Sequence, residues 1–185
     1  MNLLILGLPN VGKTSFYNII TSKTNNNIIH NSIGTTRDWH VSQLKNNKNI
    51  NVYDTPGIIN KKYLLNKNTT YIFNKIDFFI YLIDYKINNH SNDIELINTL
   101  RQLNKEIILI INKDDNLNQD KNIENFGLKN IFYISCSHKK GIDDFLNFLY
   151  KFDIKENDIN EYDFSLGLFG KTNVGKSTLL NKLVG

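Results

Sequence analysis

The stretch from Gly7 to Ser15, GLPNVGKTS, decides the fold of this chain. It follows an apolar run at residues 3–6 and matches G-x-x-x-x-G-K-[ST], a loop that joins a strand to a helix and wraps a phosphate. Its glycines let successive backbone N–H groups curl round the anion, and the helix that begins near Lys13 points its positive end at it. We therefore expect Lys13 to neutralise the β- and γ-phosphates and Thr14 to bind Mg²⁺. An ordinary Gly-rich turn is the alternative.

The same loop occurs a second time, because residues 170–178 read GKTNVGKST. The two copies are a domain length apart, which predicts tandem domains rather than a solenoid. We expect a first nucleotide-binding domain at 1–151, a charged linker at 152–163, and the truncated start of a second domain at 164–185. The remaining motifs of a nucleotide site are missing from that last segment, so we expect no functional second site. Its phosphate-loop residues are Gly170, Asn173, Val174, Gly175, Lys176, Ser177 and Thr178.

Apolar runs of β-type residues alternate with helix-like stretches through the first domain. This alternation predicts an α/β fold with a mostly parallel, doubly wound sheet and helices on both faces. Residues 39–44 and 49–53, joined by the polar segment KNNKN, predict a hairpin that adds one antiparallel strand and makes the sheet six-stranded. The apolar runs lie near 3–6, 50–53, 77–83, 107–111 and 131–134, and the expected helices near 13–21, 63–75, 92–103, 120–126 and 142–151.

Composition excludes several classes of protein. The single cysteine, Cys136, excludes a disulfide framework and a cysteine-built zinc site. The 22 Lys and Arg residues against 18 Asp and Glu leave a net charge of +4, and aromatic residues are not interleaved with basic ones, so there is no direct signal for nucleic acid. No apolar run approaches the roughly 18 residues that a membrane span needs. We expect a soluble, cytoplasmic protein with no membrane partner.

Two further segments are placed to contact a metal ion and a γ-phosphate. Residues 54–57, DTPG, close a predicted strand, where the Asp54 carboxylate would face Mg²⁺ through water and the Gly57 N–H would meet the γ-phosphate. Residues 34–38, GTTRD, lie between the first helix and the hairpin. Thr36 in this loop would give its hydroxyl to Mg²⁺ and its N–H to the γ-phosphate, as switch loops do. Each motif alone is a common loop sequence, and its position after the phosphate loop supports the prediction.

Two segments near the ends of later strands are suited to reading a guanine base. Residues 112–115, NKDD, fit N-K-x-D, in which Asp115 would accept hydrogen bonds from guanine N1–H and the 2-amino group. Adenine offers neither donor in that geometry and would be rejected. Lys113 would lie along the base and Asn112 would brace the loop. Residues 135–137, SCS, would supply backbone donors for the guanine O6, with Cys136 as a small, buried and unreactive thiol.

The motifs in this order resemble the TrmE–Era–EngA group of translational GTPases. Because a second phosphate loop, NVGKST, follows the first domain, the chain resembles an N-terminal fragment of the tandem-domain Der (EngA) family within that group. The resemblance implies the G-domain fold of P-loop NTPases, GTP or GDP and Mg²⁺ as ligands, and the large ribosomal subunit or its precursor as partner. It implies catalytic roles for Lys13, Thr36 and Gly57. By motif, the nucleotide-binding residues are Gly7, Pro9, Asn10, Val11, Gly12, Lys13, Thr14, Ser15, Asp54, Thr55, Pro56, Gly57, Asn112, Lys113, Asp115, Ser135, Cys136 and Ser137, and Mg²⁺ would be held by Thr14, Thr36 and Asp54.

The residue after DTPG is Ile58, where Ras-type enzymes place a glutamine that orients the attacking water. An aliphatic side chain cannot do this, so we expect slow intrinsic hydrolysis of GTP. In related GTPases an asparagine at the position of Asn10 helps to hold K⁺, which makes potassium activation a hypothesis. The alternative is that Asn10 only stabilises its own loop.

The sequence is compatible with three functions. The first is a hydrolysing GTPase of ribosome assembly. The second is a nucleotide-gated binding module with negligible hydrolysis. The third is a tRNA-modification GTPase of the TrmE type, which is disfavoured because that G domain follows a long N-terminal region, whereas the phosphate loop here begins at Gly7.

Overall fold

Six strands and three helices make up the regular structure of the part of the chain described here. The computed structural model describes residues 1–22, 40–55, 73–116 and 126–157, together with 178, 181 and 182. The strands are β1 (Asn2–Leu6), β2 (His40–Leu44), β3 (Asn47–Asp54), β4 (Phe78–Asp84), β5 (Glu106–Asn112) and β6 (Asn130–Tyr133). The helices are α1 (Lys13–Ile20), α2 (Ser91–Arg101) and α3 (Ile142–Asn157).

The strands form one mixed sheet in the order β2-β3-β1-β4-β5-β6. All neighbouring pairs are parallel except β2 and β3, which are antiparallel. The predicted six-stranded, mostly parallel sheet with one antiparallel strand is therefore confirmed. Parallel strands need crossover connections, which place helices against the faces of the sheet.

Helices cover both faces of the sheet, as predicted. Alternate residues of β1 point to opposite faces, so Leu3 and Ile5 pack with α1 and α3, while Leu4 and Leu6 pack with α2. These four of the five β1 side chains are completely buried. This explains why β1 reads as an unbroken apolar run rather than an alternating one. On the first face, the ring centroids of Phe16 and Phe145 lie 5.4 Å apart, which joins α1 to α3.

The β2–β3 hairpin is tighter than the sequence predicted. Its turn contains Lys45 and Asn46, and β3 begins at Asn47, inside the segment predicted as a loop. Asn46 has φ = 59°, a left-handed conformation that asparagine tolerates better than most residues. The Lys45 N–H donates to the Ile20 carbonyl oxygen at 2.8 Å, which ties the turn to the end of α1.

Parallel pairing brings the carboxyl ends of β1, β3, β4 and β5 to one edge of the sheet. In the strand register Ile5 lies opposite Asp54, and Asp84 lies opposite Asn112. Ligands of open α/β sheets bind outside the carboxyl ends of the strands. The sheet therefore places the phosphate loop after β1 beside the chain segments that follow β3, β4 and β5.

The chain divides into two compact units, Met1–Asp153 and Ile154–Gly185. Of the second unit, the structure describes the end of α3 and residues 178, 181 and 182, which are helical. Helix α3 continues to Asn157, beyond the predicted end at residue 151, and residues 152–157 contain no glycine or proline to stop it. Most of the predicted helices at 63–75 and 120–126 lies outside the described residues. Within the described ranges, no helix is both long and apolar enough to cross a membrane.

Candidate nucleotide-binding site

The loop between β1 and α1 has a backbone conformation that its glycines permit. Gly7 has φ = 144° and Gly12 has φ = 99°, backbone angles that residues with a Cβ atom rarely adopt. A Cβ on Gly7 would lie 2.4 Å from the Leu82 carbonyl oxygen, and one on Gly12 would lie 2.3 Å from Asn112 Nδ2. The two glycines therefore let the loop approach both β4 and the end of β5.

Asn112 joins this phosphate loop to the segment that follows β6. Its Nδ2 donates to the Val11 carbonyl oxygen at 2.9 Å, and its Oδ1 accepts from the Cys136 N–H at 3.1 Å. Asn112 is 2% exposed, and its hydrogen bond to Val11 is buried. One side chain thus fixes two loops that are distant in sequence.

Lys13 begins helix α1 and is buried beneath the loop. Its Nζ donates to the Leu8 carbonyl oxygen at 2.7 Å. Burial lowers the pKa of Lys13 because it removes water from the ammonium group, and the negative charge of Asp54 opposes that shift. An ammonium group with so little water around it is well placed to interact strongly with a phosphate.

Thr14 and Asp54 meet beside Lys13. The Thr14 hydroxyl donates to Asp54 Oδ2 at 3.1 Å, while the buried Asp54 Oδ1 has no hydrogen-bond partner among the described residues. Burial raises the pKa of Asp54, and the Thr14 hydrogen bond and the Lys13 charge partly offset this. A hydroxyl and a carboxylate with an unsatisfied oxygen are hard oxygen ligands of the kind that suit Mg²⁺. The residues present therefore fit a magnesium ion.

Two cavities lie along this edge of the sheet and share Gly12 and Ser15. The larger, about 460 Å³, covers the phosphate loop and the start of α1, and the smaller, about 270 Å³, lies beside β5 and the loop after β6. We call these two adjoining cavities the groove; Lys13 and Thr14 line one of them and Asp115 lines the other. The larger cavity is lined by Pro9, Asn10, Gly12, Lys13, Thr14, Ser15 and Thr55, and the smaller by Gly12, Ser15, Lys86, Asn112, Lys113, Asp115, Cys136 and Ser137.

In the smaller cavity the Asp115 carboxylate is held by hydroxyl groups. Asp115 Oδ1 accepts from Ser135 Oγ at 2.9 Å and from Ser137 Oγ at 3.4 Å. The Ser135 hydrogen bond, followed by that of Lys86, lowers the pKa of Asp115. The carboxylate is therefore held in its ionised, hydrogen-bond-accepting form.

Lys113 crosses from the end of β5 to the phosphate loop. Its Nζ donates to the Asn10 carbonyl oxygen at 2.9 Å and lies 2.6 Å from Asp84 Oδ2. The stem of Lys113 therefore runs along the wall of the smaller cavity, where the sequence predicts that a base lies.

Residues 2–113, more than half of the chain, match a family model described as a 50S ribosome-binding GTPase. The chain belongs to that family.

Curated relatives of this family member support the same assignment. GTPase Der of Campylobacter jejuni (strain RM1221) is 31% identical over 99% of this chain, which covers 46% of the relative. GTPase Der of Legionella pneumophila (strain Lens) is 31% identical over 98% of this chain and 41% of the relative. The chain thus spans about half the length of the curated relatives it matches. The resemblance to the Der family seen in the motifs is confirmed.

Solved structures confirm the fold. A GDP-bound variant of S. thermophilus NFeoB matches 80% of this chain and 58% of its own, with a TM-score of 0.62 and 22% identity. NFeoB bound to GDP, AlF4⁻ and K⁺ matches 80% of this chain and 60% of its own, with a TM-score of 0.55 and 24% identity. The prediction of a G-domain fold is therefore confirmed.

The structure adds residues that sequence reasoning missed. Lys86 lines the smaller cavity and contacts Asp115, Asp84 pairs with Lys113, and the Lys140 Nζ donates to the Asp115 carbonyl oxygen at 3.0 Å. Asp84 had a detectable signal, because it ends an apolar strand at the same edge as Asn112. Lys86 had none, because an isolated lysine in a loop resembles any solvated side chain.

In the loop after β6, two of the backbone N–H groups that the sequence predicts as donors to guanine O6 already donate to groups of the protein. The Ser135 N–H donates to the Lys140 carbonyl oxygen at 3.1 Å, and the Cys136 N–H donates to Asn112. The hydroxyl groups of Ser135 and Ser137, not considered from the sequence, make the contacts to Asp115. Cys136 is half-buried, and burial raises the pKa of its thiol to about 11, which agrees with an unreactive role.

Several predicted site residues lie outside the part of the chain that the structure describes. They are Thr36, Pro56, Gly57 and Ile58 of the first site and Gly170, Asn173, Val174, Gly175, Lys176 and Ser177 of the second loop; Thr178 is described only as helical and exposed.

Proposed function

We propose that this chain binds GTP and hydrolyses it to GDP and phosphate. The observation that carries the proposal is the pair of adjoining cavities, one beside the Thr14–Asp54 pair and the other lined by the serine-held Asp115 carboxylate. Membership of the GTPase family supports it. The groove thus offers separate contacts for the phosphates and for the base.

Guanine specificity comes from Asp115 in this proposal. Its carboxylate accepts hydrogen bonds from guanine N1–H and the 2-amino group, and the Lys113 stem covers one side of the base. Adenine has an unprotonated N1 and no 2-amino group, so it would offer neither hydrogen bond and would turn a lone pair toward the carboxylate. Ser135 is completely buried and holds the carboxylate in the accepting orientation.

Thr14, Asp54 and Thr36 hold Mg²⁺ in the proposed site. When bound, the ion neutralises charge that develops on the β- and γ-phosphates. The Thr14 hydroxyl and the Asp54 carboxylate, whose Oδ1 has no hydrogen-bond partner among the described residues, are the groups in the described part of the chain that would hold the ion.

The chain's own groups orient the triphosphate and stabilise the transition state. Lys13, the loop N–H groups and the N-terminus of α1 would surround the phosphates. Gly57, which lies outside the described residues, would donate its N–H to the γ-phosphate, as its motif predicts. Water attacks the γ-phosphorus in line and the GDP oxygen leaves. Ile58 cannot orient that water, so intrinsic turnover is slow.

Asn10 is the candidate potassium ligand. It adopts φ = 65° at the wall of the larger cavity, and its own carbonyl oxygen is engaged by Lys113. This leaves the side-chain amide as the group that would face K⁺ beside the phosphates. Under this proposal K⁺ accelerates hydrolysis by offsetting phosphate charge.

We also propose that the chain acts in maturation of the large ribosomal subunit. It is supported by the family description as a 50S ribosome-binding GTPase and by the relatives named GTPase Der. The partner would be the large subunit or its precursor, in the cytoplasm.

Turnover of GTP by the full chain, in KCl and in NaCl, tests the activity. We expect slow phosphate release from GTP, faster in KCl, with no release from ATP. The variant Asp115→Asn should lose preference for guanine, while Asn116→Ala, a change at the exposed neighbouring residue, should keep it. Tight GTP binding without turnover in either salt would instead favour a nucleotide-gated binding module.

Co-sedimentation with purified 50S subunits tests the ribosomal part. We expect the chain to sediment with the subunits when a non-hydrolysable GTP analogue is present and to remain in the supernatant with GDP. Equal amounts in the pellet with both nucleotides, or none with either, would contradict a GTP-dependent ribosomal role.

A further inference from the structure

Lys86 lies against the carboxylate that is proposed to read guanine. Its Nζ is 3.2 Å from Asp115 Oδ2, and its side chain lines the same 270 Å³ cavity. Most pairs between exposed Lys and Asp side chains contribute little to stability. This pair differs in its position, because its acid is the group on which base recognition depends.

Buried Asp84 places Lys86 at the cavity. Asp84 Oδ1 accepts from the Lys86 N–H at 2.9 Å, while Asp84 Oδ2 holds Lys113 Nζ at 2.6 Å. The turn is completed by the Ile87 N–H, which donates to the Asp84 carbonyl oxygen at 3.1 Å. One carboxylate at the end of β4 therefore positions two lysines on the cavity that would hold the base.

The partners of Asp115 differ greatly in their freedom to move. The Lys86 side chain is 63% exposed, whereas Ser135, which donates to Asp115 Oδ1, is completely buried. Guanine needs both carboxylate oxygens, one for N1–H and one for the 2-amino group. A base that enters the cavity can displace the exposed ammonium into water, but it cannot displace the buried serine.

We propose that Lys86 competes with guanine for the Asp115 carboxylate and thereby lowers the affinity of the site for GDP and GTP. This inference rests on the proposed guanine-binding function. Lys86 acts as an internal counter-ion of Asp115, and guanine must break the ion pair between Lys86 and Asp115 in order to bind. Because exposed pairs are weak, its removal should tighten binding by about two- to fivefold.

Loss of a positive charge has a second effect that the test must separate. Lysines near a nucleotide site attract the phosphates of the nucleotide through long-range electrostatics. Replacement of such a lysine by Met would weaken nucleotide binding through this effect alone. Lys48 on β3 is exposed, and its replacement by Met changes the net charge equally at a place remote from the cavities. Replacement of Lys86 by Arg keeps a cation next to Asp115.

Calorimetric titration of the full chain with GDP in the presence of Mg²⁺ is the test. We expect Lys86→Met to lower the dissociation constant two- to fivefold relative to wild type, and Lys86→Arg and Lys48→Met to leave it unchanged or slightly higher. The gain from Lys86→Met should shrink when ionic strength is raised to about 1 M, where ion pairs are screened.

The two proposals fail in different ways. Wild-type chain that binds GDP no better than ADP would overturn the guanine site and the competition together. Wild-type chain that prefers GDP, with Lys86→Met binding equally or more weakly, would overturn the competition alone and leave the guanine site standing.

Discussion

Asp54, proposed as a magnesium ligand, lies in an environment that disfavours its charge. It is 4% exposed, it has one carboxylate oxygen without a hydrogen-bond partner in the described part of the chain, and burial raises its pKa. An ionised carboxylate in that position is unfavourable until a cation approaches it. The same features that fit Mg²⁺ therefore destabilise the metal-free protein at neutral pH.

The pH dependence of stability follows from this shift. The native state retains a proton at pH values where the unfolded chain, with an Asp pKa of about 4, has lost it. Unfolding of the metal-free protein should therefore become easier as pH rises from about 4 through the raised native pKa. Thermal unfolding in a chelator should show this slope in wild type and a smaller one in Asp54→Asn. Exposed Glu95→Gln is the control, and an unchanged slope in Asp54→Asn would contradict the expectation.

Asn112 is the residue whose loss should disturb both ends of the groove. Asn112→Ala leaves the Val11 carbonyl oxygen and the Cys136 N–H without their buried partner. We expect the free energy of unfolding to fall by about 1–3 kcal/mol in urea denaturation. Affinity for GDP should fall as well, because two loops lose their connection. Asn116→Ala, at an exposed asparagine, should change neither quantity, and equal stability of the two variants would refute the bracing role.

At the scale of elements, the β2–β3 hairpin depends on the conformation of its turn. The bridge between Thr21 and Leu44 and the hydrogen bond from the Tyr150 hydroxyl to the Lys45 carbonyl oxygen, at 2.9 Å, join the hairpin to the chain after α1 and to α3. The hairpin therefore contacts both helices of one sheet face.

Replacement of Asn46 tests the turn. A β-branched residue is strained at φ = 59°, so Asn46→Val should lower the free energy of unfolding by about 1–2 kcal/mol. Asn46→Gly should be close to neutral because glycine adopts this conformation without a Cβ clash. Chemical denaturation of the three proteins gives the comparison, and a stable Asn46→Val variant would mean that the turn relaxes into another conformation.

At the scale of the whole molecule, the proposed nucleotide binding predicts an effect on the stability of the fold. A nucleotide that binds only the native state adds RT ln(1 + [L]/Kd) to the free energy of unfolding, about 2.7 kcal/mol at one hundred times Kd. GDP with Mg²⁺ should therefore raise the melting temperature of the full chain clearly. Chelation should remove part of the rise, and ADP should produce none. An equal rise with ADP would contradict guanine selectivity.

Much of the site was predictable from short sequence patterns. The phosphate loop was recognisable because glycines and a lysine at fixed spacing follow an apolar strand, and Asp115 because it belongs to a four-residue motif. The serine hydroxyls that hold Asp115, and the engagement of the Cys136 N–H by Asn112, were not predictable. Those contacts depend on where two loops from different strands meet.

The sequence by itself determined the types of element, the parallel sheet with one antiparallel strand, and the family of the chain. It could do so because hydrophobic periodicity and motif spacing depend on residues that are close together in the sequence. Only the tertiary structure decided that Asp84 holds two lysines and that Lys86 contacts Asp115, 29 positions away. Parallel pairing of β4 with β5 creates these contacts, because it brings the ends of both strands to one edge of the sheet.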